Sequence, residues 1–290
     1  MTQTKFKPED RLQKTWIPEG TVEYKSFKHV TQENKWIADT LKKEFSLSTG
    51  DLVLDVGGRE GDVALAIQKP EFIHLVDPDP TLKLPFTPAL YLREKIQNVD
   101  LSGHQYKFVI FGHVLGYLGT QAVQAEVFRK LCKLVAPRGT LALFYNRNTG
   151  YMGELLKFSK ENLPSGHYDY FDENLFKELP NDEFDVRFED ISFELDYPSY
   201  EELARCCWFL FGAMDQDING IAAKFLPKLK ADLSKPAFPI EERLALITRN
   251  PMGKLRHETL IASAGASTRL AGSKLSDEEV EQISKSSAQK

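Results

Sequence analysis

The chain has 290 residues, of which 42% are hydrophobic and 27% charged, and its formal net charge is −5. This length supports one large domain, or a core domain with a smaller one embedded in it. The acidic balance argues against a nucleic-acid partner, because proteins that grip a phosphate backbone carry a basic surplus or stripe. No stretch approaches the roughly 18 apolar residues of a membrane helix, and the polar N-terminus is unlike a secretory signal. We therefore expect a cytoplasmic protein with no membrane partner.

The first 35 residues are predicted to form an N-terminal arm and lid helices. Residues 1–20 are polar and contain two prolines. From Val22 to Phe45, apolar side chains recur at helical spacing, which predicts one or two helices broken near Thr31.

Short apolar strands alternate with helices over residues 36–196, the predicted core. The strands are Leu52–Val56, Phe72–Val76, Leu90–Leu92, Tyr106–Phe111, Thr140–Tyr145 and Asp185–Leu195, and the helices are Asp62–Gln68, Gln121–Leu134 and Tyr151–Glu161. This alternation predicts an α/β fold with a Rossmann-like, doubly wound, mostly parallel sheet of seven strands.

The seventh strand is predicted at 257–265, after an inserted helical region over 197–256. Helices are expected there over Tyr200–Ala213, Ile218–Asp232 and Ile240–Thr248. An insertion at this point would lie over the carboxyl edge of the sheet, where ligands bind in such folds. Residues 266–290, rich in Ser, Lys and Glu, are predicted to be a flexible tail.

A glycine-rich turn follows the first strand, in the run Leu54-Asp55-Val56-Gly57-Gly58-Arg59-Glu60-Gly61. Glycines there let the backbone turn tightly and approach a ligand. The second strand ends at Asp77, where a carboxylate can accept both hydroxyls of a ribose. The spacing differs from the G-x-G-x-x-G of dinucleotide sites. Either the turn is slightly rearranged at Arg59 or this side chain points into solvent, and it could also pair with a ligand carboxylate.

From residue 50 to 147 the succession of motifs resembles the class I S-adenosylmethionine methyltransferases. The resemblance implies S-adenosylmethionine as the cofactor and no metal ion. It implies that the glycine turn binds the methionine and ribose, that the end of the second strand holds the ribose, that a segment after the third strand covers the adenine, and that the end of the fourth strand lies beside the methyl group. The implied cofactor residues are Asp55, Gly57, Gly58, Gly61, Asp77, Pro78, Ile96, Gln97, Gly112 and His113. Arg59 departs from the family's usual glycine.

A closer resemblance, from about residue 22 to 264, is to the histamine N-methyltransferase family. It implies a small-molecule acceptor, most simply an amine nitrogen, and a substrate pocket formed by Tyr24, Glu33, Tyr117, Tyr151 and Glu258. His113 stands where that family has a glutamine and Glu258 where it has an asparagine, so the pocket would be more acidic. A reacting amine must be neutral, and His113 is the candidate catalytic base or orienting group.

Three other functions stay open on the sequence. One is O-methylation of a small hydroxyl compound, and another is an S-adenosylmethionine-binding protein without activity. A nucleic-acid or protein methyltransferase is a third, although the chain lacks both an Asn/Asp-Pro-Pro-aromatic segment and a Pro-Cys nucleophile. The tyrosines and Trp208 would give an aromatic wall for a cation, or would be plain core. The sequence leaves the oligomeric state open.

Overall fold

A single seven-stranded sheet organises the chain. The computed structural model describes Phe27, residues 33–80, 82–118, 120–163, 171–211 and 217–251, and Ser276 and Glu279. The strands are β1 (Val53–Val56), β2 (Ile73–Val76), β3 (Leu90–Leu92), β4 (Tyr106–Gly112), β5 (Val135–Asn146), β6 (Phe184–Asp196) and β7 (Ala237–Arg249). Their order is β3-β2-β1-β4-β5-β7-β6, and only the pairs made by β7 are antiparallel. The predicted mostly parallel seven-stranded sheet is confirmed.

Helices cover the sheet. Those of the described ranges are α1 (Glu33–Glu44), α2 (Asp62–Ile67), α3 (Gln121–Leu134), α4 (Gly150–Asn162), α5 (Tyr200–Leu210) and α6 (Ile218–Asp232). The hydroxyl of Thr120 caps α3 by accepting the amide of Val123, and Asp217 caps α6 through the amide of Gly220. These caps satisfy amides that have no partner inside the helix, so they fix where each helix begins.

The central strands are buried on both faces, because helices lie on each side. On β4, Phe108 and Ile110 point into a cluster with Leu41 of α1 and Ala64 of α2. Val109 and Phe111 point the other way, toward Phe128 and its neighbours on α3. Strands buried on both faces become continuous apolar runs, which is why these segments could be recognised in the sequence.

A third cluster holds the inserted helices. Leu155 of α4, Trp208 of α5 and Phe225 of α6 pack with Ile240 at the start of β7. The insertion therefore rests on α4 and on one end of β7, beside the sheet. Across the described ranges, no helix is long and apolar enough to cross a membrane.

The helix predicted over Ile240–Thr248 is wrong, because these residues belong to β7. β7 lies between β5 and β6, so its backbone groups pair on both sides. Four consecutive buried residues, Leu244 to Ile247, interrupt the alternation that marks a strand in the first half of β7. The part of the predicted helical insertion from Ala237 to Arg249 is therefore a strand. The strand predicted at 257–265 lies outside the described residues.

The central position of β7 can be tested at Leu244, which is fully buried against the cluster of α1 and α2. Leu244→Ala is expected to lower the free energy of unfolding by about 2–5 kcal/mol, because it leaves a cavity in the core. Urea denaturation measures this, with Ser192→Ala on exposed β6 as the control. A loss at Leu244 no larger than the control's would contradict this packing.

Candidate functional site

The glycine turn between β1 and α2 brings the backbone closer to its neighbours than a side chain would allow. Gly57 and Gly61 adopt φ values of 69° and 72°, in the left-handed region. A Cβ at Gly57 would lie 2.2 Å from the side chain of Val114, and one at Gly58 would lie 2.2 Å from the carboxyl of Asp55. The paired glycines therefore shape a bare backbone cradle at the carboxyl end of β1.

Asp55 stands under this cradle, and its carboxyl is 1% exposed. Its Oδ2 has no hydrogen-bond partner among the described residues. Burial, with the charges of Asp77 and Asp62 adding to it, raises the pKa of Asp55 to about 7. A buried carboxylate of this kind attracts a cationic group, which would restore its usual ionisation.

Asp77, at the end of β2, ties two loops together. Its Oδ2 accepts the amide of Arg59 at 3.1 Å, and its Oδ1 accepts the amide of Asp79 at 2.9 Å. Burial raises its pKa to about 6, although these two amides oppose that shift. Each oxygen keeps further acceptor capacity, so the carboxylate can still receive a ligand hydroxyl. Pro78 follows it, half-buried.

Arg59 does not point into solvent, so the sequence-based interpretation of an outward side chain is wrong. Its side chain is buried and directed toward Asp79, at 3.9 Å, and Glu60, at 4.0 Å. Its backbone has φ of 49°, which is uncommon outside glycine. The amide of Arg59 donated to Asp77 helps to hold this conformation.

A lysine on α3 holds the segment after β3 by hydrogen bonds to its backbone carbonyls. The Nζ of Lys130 donates to the carbonyls of Ile96 at 2.6 Å, Gln97 at 3.2 Å and Val99 at 2.5 Å. Ile96 is buried in the core, and the Oε1 of Gln97 is buried with no hydrogen-bond partner in the described part of the chain. Ile96 and Gln97 therefore lie in an ordered segment.

The end of β4 carries an unusual turn. Gly112 ends the strand, and His113 adopts φ of 54°, a left-handed conformation that is strained for a residue with a side chain. Its amide donates to the carbonyl of Phe144 at 2.9 Å, and its ring packs on that phenyl group. Strain of this kind gathers at functional sites.

The imidazole of His113 lies between two buried carboxylates. Its Nε2 contacts Glu33, the first residue of α1, and is 3.6 Å from the carboxylate of Glu242 on β7. Glu33 is 3% exposed and Glu242 is 1% exposed. One donor atom from each of these residues lies within 4.8 Å of the other two, so the three can surround a single small cation. We call this set the acidic cluster.

The acidic cluster has an unusual proton balance. Burial lowers the pKa of His113, but Glu33 and Glu242 more than reverse this and bring it to about 9. Near neutral pH the imidazole therefore already holds its proton, which favours the orienting role over the base role. Burial and the charge of Glu33 raise the pKa of Glu242 well above its usual range, while His113 opposes them.

The aromatic residues expected in the pocket lie mainly in the packing of the insertion. Tyr117 and Tyr151 pack on the cluster of α4, α5 and α6, in which Trp208 is fully buried. The hydroxyl of Tyr151 donates to Asp232 at 3.0 Å. No described contact joins Tyr151 to the acidic cluster. Tyr24 and Glu258 lie outside the described residues.

Glu242 was missed by reasoning from the sequence, although a signal was present. The even-numbered positions of β7 from 238 to 246 read Phe, Ile, Glu, Leu, Leu. A strand with every second residue apolar places its one glutamate on the buried face. Asn146, buried at the end of β5, lies opposite Glu242 in the ladder and was missed as well.

Comparison with known proteins identifies the fold. No protein-family model and no curated protein matches the chain. A Bacillus halodurans protein provisionally assigned as a methyltransferase has a similar structure, with a TM-score of 0.53 and 13% identity over 73% of this chain and 98% of that one. The chain has the Rossmann-like methyltransferase fold. The YcgJ protein from Bacillus subtilis is also similar, with a TM-score of 0.53 and 11% identity over 74% of this chain and 99% of that one.

The proton balance of Asp55 can be tested through stability. Because the pKa of a buried Asp55 is raised from 3.8 to about 7, its ionisation opposes folding, and this cost grows as pH rises from about 4 to 7. Asp55→Asn is therefore expected to raise the melting temperature more at pH 8 than at pH 4. Exposed Asp185→Asn is the control. An equal change at both pH values would show that Asp55 is ionised normally.

Proposed function

We propose that this protein transfers the methyl group of S-adenosylmethionine to the nitrogen of a small-molecule amine. The observation that carries the proposal is the buried acidic cluster at the carboxyl end of β4, on the same sheet edge as the glycine turn. In open α/β sheets, ligands bind at that edge. The resemblance of the sequence to the histamine N-methyltransferase family supports the same assignment.

The residues of the glycine turn fit the cofactor. The orphaned carboxyl oxygen of Asp55 suits the ammonium group of the methionine part, and the bare backbone at Gly57 and Gly58 leaves room for it. Asp77 suits the ribose hydroxyls, and Ile96 and Gln97 suit the adenine. When bound, S-adenosylmethionine supplies an electrophilic methyl group. Gly112 and His113 would lie beside that methyl group.

The charge of the acidic cluster supports an amine acceptor. The cluster holds two carboxyl groups and one protonated imidazole, so it is neutral only when Glu242 holds a proton or when a second cation binds. An ammonium group would neutralise it, and because the cluster is buried the attraction would exceed that of a surface ion pair. Methyl transfer needs alignment and exclusion of water, and both follow from binding in a buried site.

One observation favours methylation of a hydroxyl compound as a second candidate. The contact of His113 with Glu33 is the arrangement in which a carboxylate orients a histidine that takes a proton from a nucleophile. The second carboxyl group, Glu242, argues against this candidate, because a neutral hydroxyl compound would offer it no cation to bind.

Cofactor binding can be measured by calorimetry with S-adenosylhomocysteine and with NAD. We expect the first to bind and the second not to bind. Because Asp55 must ionise to hold the ligand's ammonium group and its pKa in the free protein is about 7, the dissociation constant should be about five- to tenfold weaker at pH 6 than at pH 8. Asp55→Asn should weaken binding and flatten this pH dependence. Absence of S-adenosylhomocysteine binding at every pH would refute the proposed function.

The acceptor class can be determined with a panel of small amines, phenols and carboxylic acids and radiolabelled S-adenosylmethionine. Methylation confined to the amines is the expected result, because their cations match the charge of the acidic cluster. Glu33→Gln should reduce it, and Glu194→Gln, on the exposed face of β6, should not. Methylation of phenols or acids alone would assign the hydroxyl candidate. Cofactor binding without any methylated product would favour a binding protein.

A further inference from the structure

We infer that Glu242 receives the ammonium group of the acceptor and takes its proton, while His113 is a fixed cation positioned by Glu33. This inference rests on the proposed methyl transfer and names the residue that activates the nucleophile. Neither the sequence motifs nor the resemblance to known families points to Glu242.

Both carboxyl oxygens of Glu242 can still accept a hydrogen bond from a ligand. Neither of its carboxyl oxygens has a hydrogen-bond partner among the described residues, although the side chain is 1% exposed. A buried carboxyl whose oxygens accept no hydrogen bond is costly even with an imidazole 3.6 Å away, and natural proteins keep such a group where it serves a ligand or a reaction. Its place on a central strand, between β5 and β6, holds it rigidly.

The other two members are already committed to each other. The Nε2 of His113 contacts Glu33, and that contact balances one negative charge with one positive charge. Because His113 is already protonated on both ring nitrogens, it cannot accept the proton of the acceptor. Glu33 and His113 are the titratable groups that act on Glu242 from α1 and from the end of β4. Since Glu33 and His113 balance each other, only a proton or a ligand cation can balance a charge on Glu242.

The proton balance of the reaction follows. Without an acceptor, a proton on Glu242 neutralises the acidic cluster. When a protonated amine binds, that proton leaves to solvent, and one proton is then shared between the amine and Glu242. In the form with the proton on Glu242, the nitrogen lone pair attacks the methyl carbon, a C–N bond forms, and the C–S bond breaks with its electron pair going to sulfur. The products are a methylated ammonium ion and a neutral thioether, and Glu242 is left protonated.

The dimensions of the acidic cluster suit an ammonium nitrogen. Charge-assisted N–H···O bonds are about 2.8 Å long, so two carboxylate oxygens on one ammonium group lie up to about 4.6 Å apart. The donor atoms of the cluster lie within 4.8 Å of one another.

Sinefungin tests this without knowledge of the natural acceptor. In this analogue of S-adenosylmethionine, a carbon bearing a primary amine replaces the methylsulfonium, so its ammonium group occupies the position of the transferred methyl. Calorimetry on the full chain, dialysed against EDTA, would compare sinefungin with S-adenosylhomocysteine. We expect sinefungin to bind about tenfold more tightly, because only it reaches Glu242. Titration at pH 7 in buffers of different ionisation enthalpy should show about one more proton released by sinefungin than by S-adenosylhomocysteine, because both ligands draw the proton of Asp55 but only sinefungin draws that of Glu242.

Variants assign the effect to one carboxyl group. Glu242→Gln should bring the ratio of the two dissociation constants close to one and abolish the additional proton released with sinefungin, with unchanged S-adenosylhomocysteine affinity as evidence of correct folding. Glu242→Asp should restore part of both effects. Glu189→Gln, on neighbouring β6, is the matched control and should behave like the wild type.

The outcomes separate this inference from the proposed function. Failure of S-adenosylhomocysteine to bind would remove the proposed function and this inference with it. Normal S-adenosylhomocysteine binding with no preference for sinefungin, no additional proton released with sinefungin, or a preference kept in Glu242→Gln would overturn this inference alone. Binding of Mn²⁺ or Zn²⁺ that competes with sinefungin and is lost in Glu242→Gln would assign the acidic cluster to a metal ion and also overturn it.

Discussion

Burial of two carboxylates around one imidazole is the constraint on which the rest of the site depends. A buried charge is tolerated only when it is paired, and removing one partner of a buried pair typically costs about 3–5 kcal/mol. Glu33, His113 and Glu242 come from α1, the end of β4 and β7, which are far apart in the chain. The acidic cluster therefore forms only when α1 is docked and β7 is inserted between β5 and β6, so completion of the sheet and formation of the site are one event.

The same edge of the sheet concentrates backbone strain. Arg59 and His113 both adopt left-handed φ values, and each follows a strand at its carboxyl end. Each is held by a hydrogen bond from its own amide, to the carboxyl of Asp77 in one case and to the carbonyl of Phe144 in the other. These hydrogen bonds to neighbouring strands offset the strain. The strained conformations place a bare backbone and an imidazole at the edge where ligands bind.

The sequence predicts those elements of the fold that short stretches of neighbouring residues determine. The glycine turn, the acidic end of β2 and helices such as Gln121–Leu134 and Ile218–Asp232 were found because caps, turns and periodicity are written in neighbouring residues. β7 was predicted as a helix, because the run of buried residues from Leu244 to Ile247 is set by packing between β5 and β6 and lacks the alternation of a strand. Glu33 and His113 were expected to serve the substrate separately. Their contact with each other and with Glu242 depends on the order of strands, which no local pattern encodes.

The two carboxylates of the acidic cluster have different surroundings, and this divides their tasks. Glu33 is the first residue of α1, where the helix dipole stabilises a negative charge. Glu242 lies within β7, whose amides are used in the ladders to β5 and β6, so its backbone offers no such help. Burial and the charge of Glu33 raise the pKa of Glu242 well above its usual range, so Glu242 is the carboxyl group placed to exchange a proton. The geometry thus pairs Glu33 with the permanent cation of His113 and leaves Glu242 to exchange its proton with whatever cation enters the site.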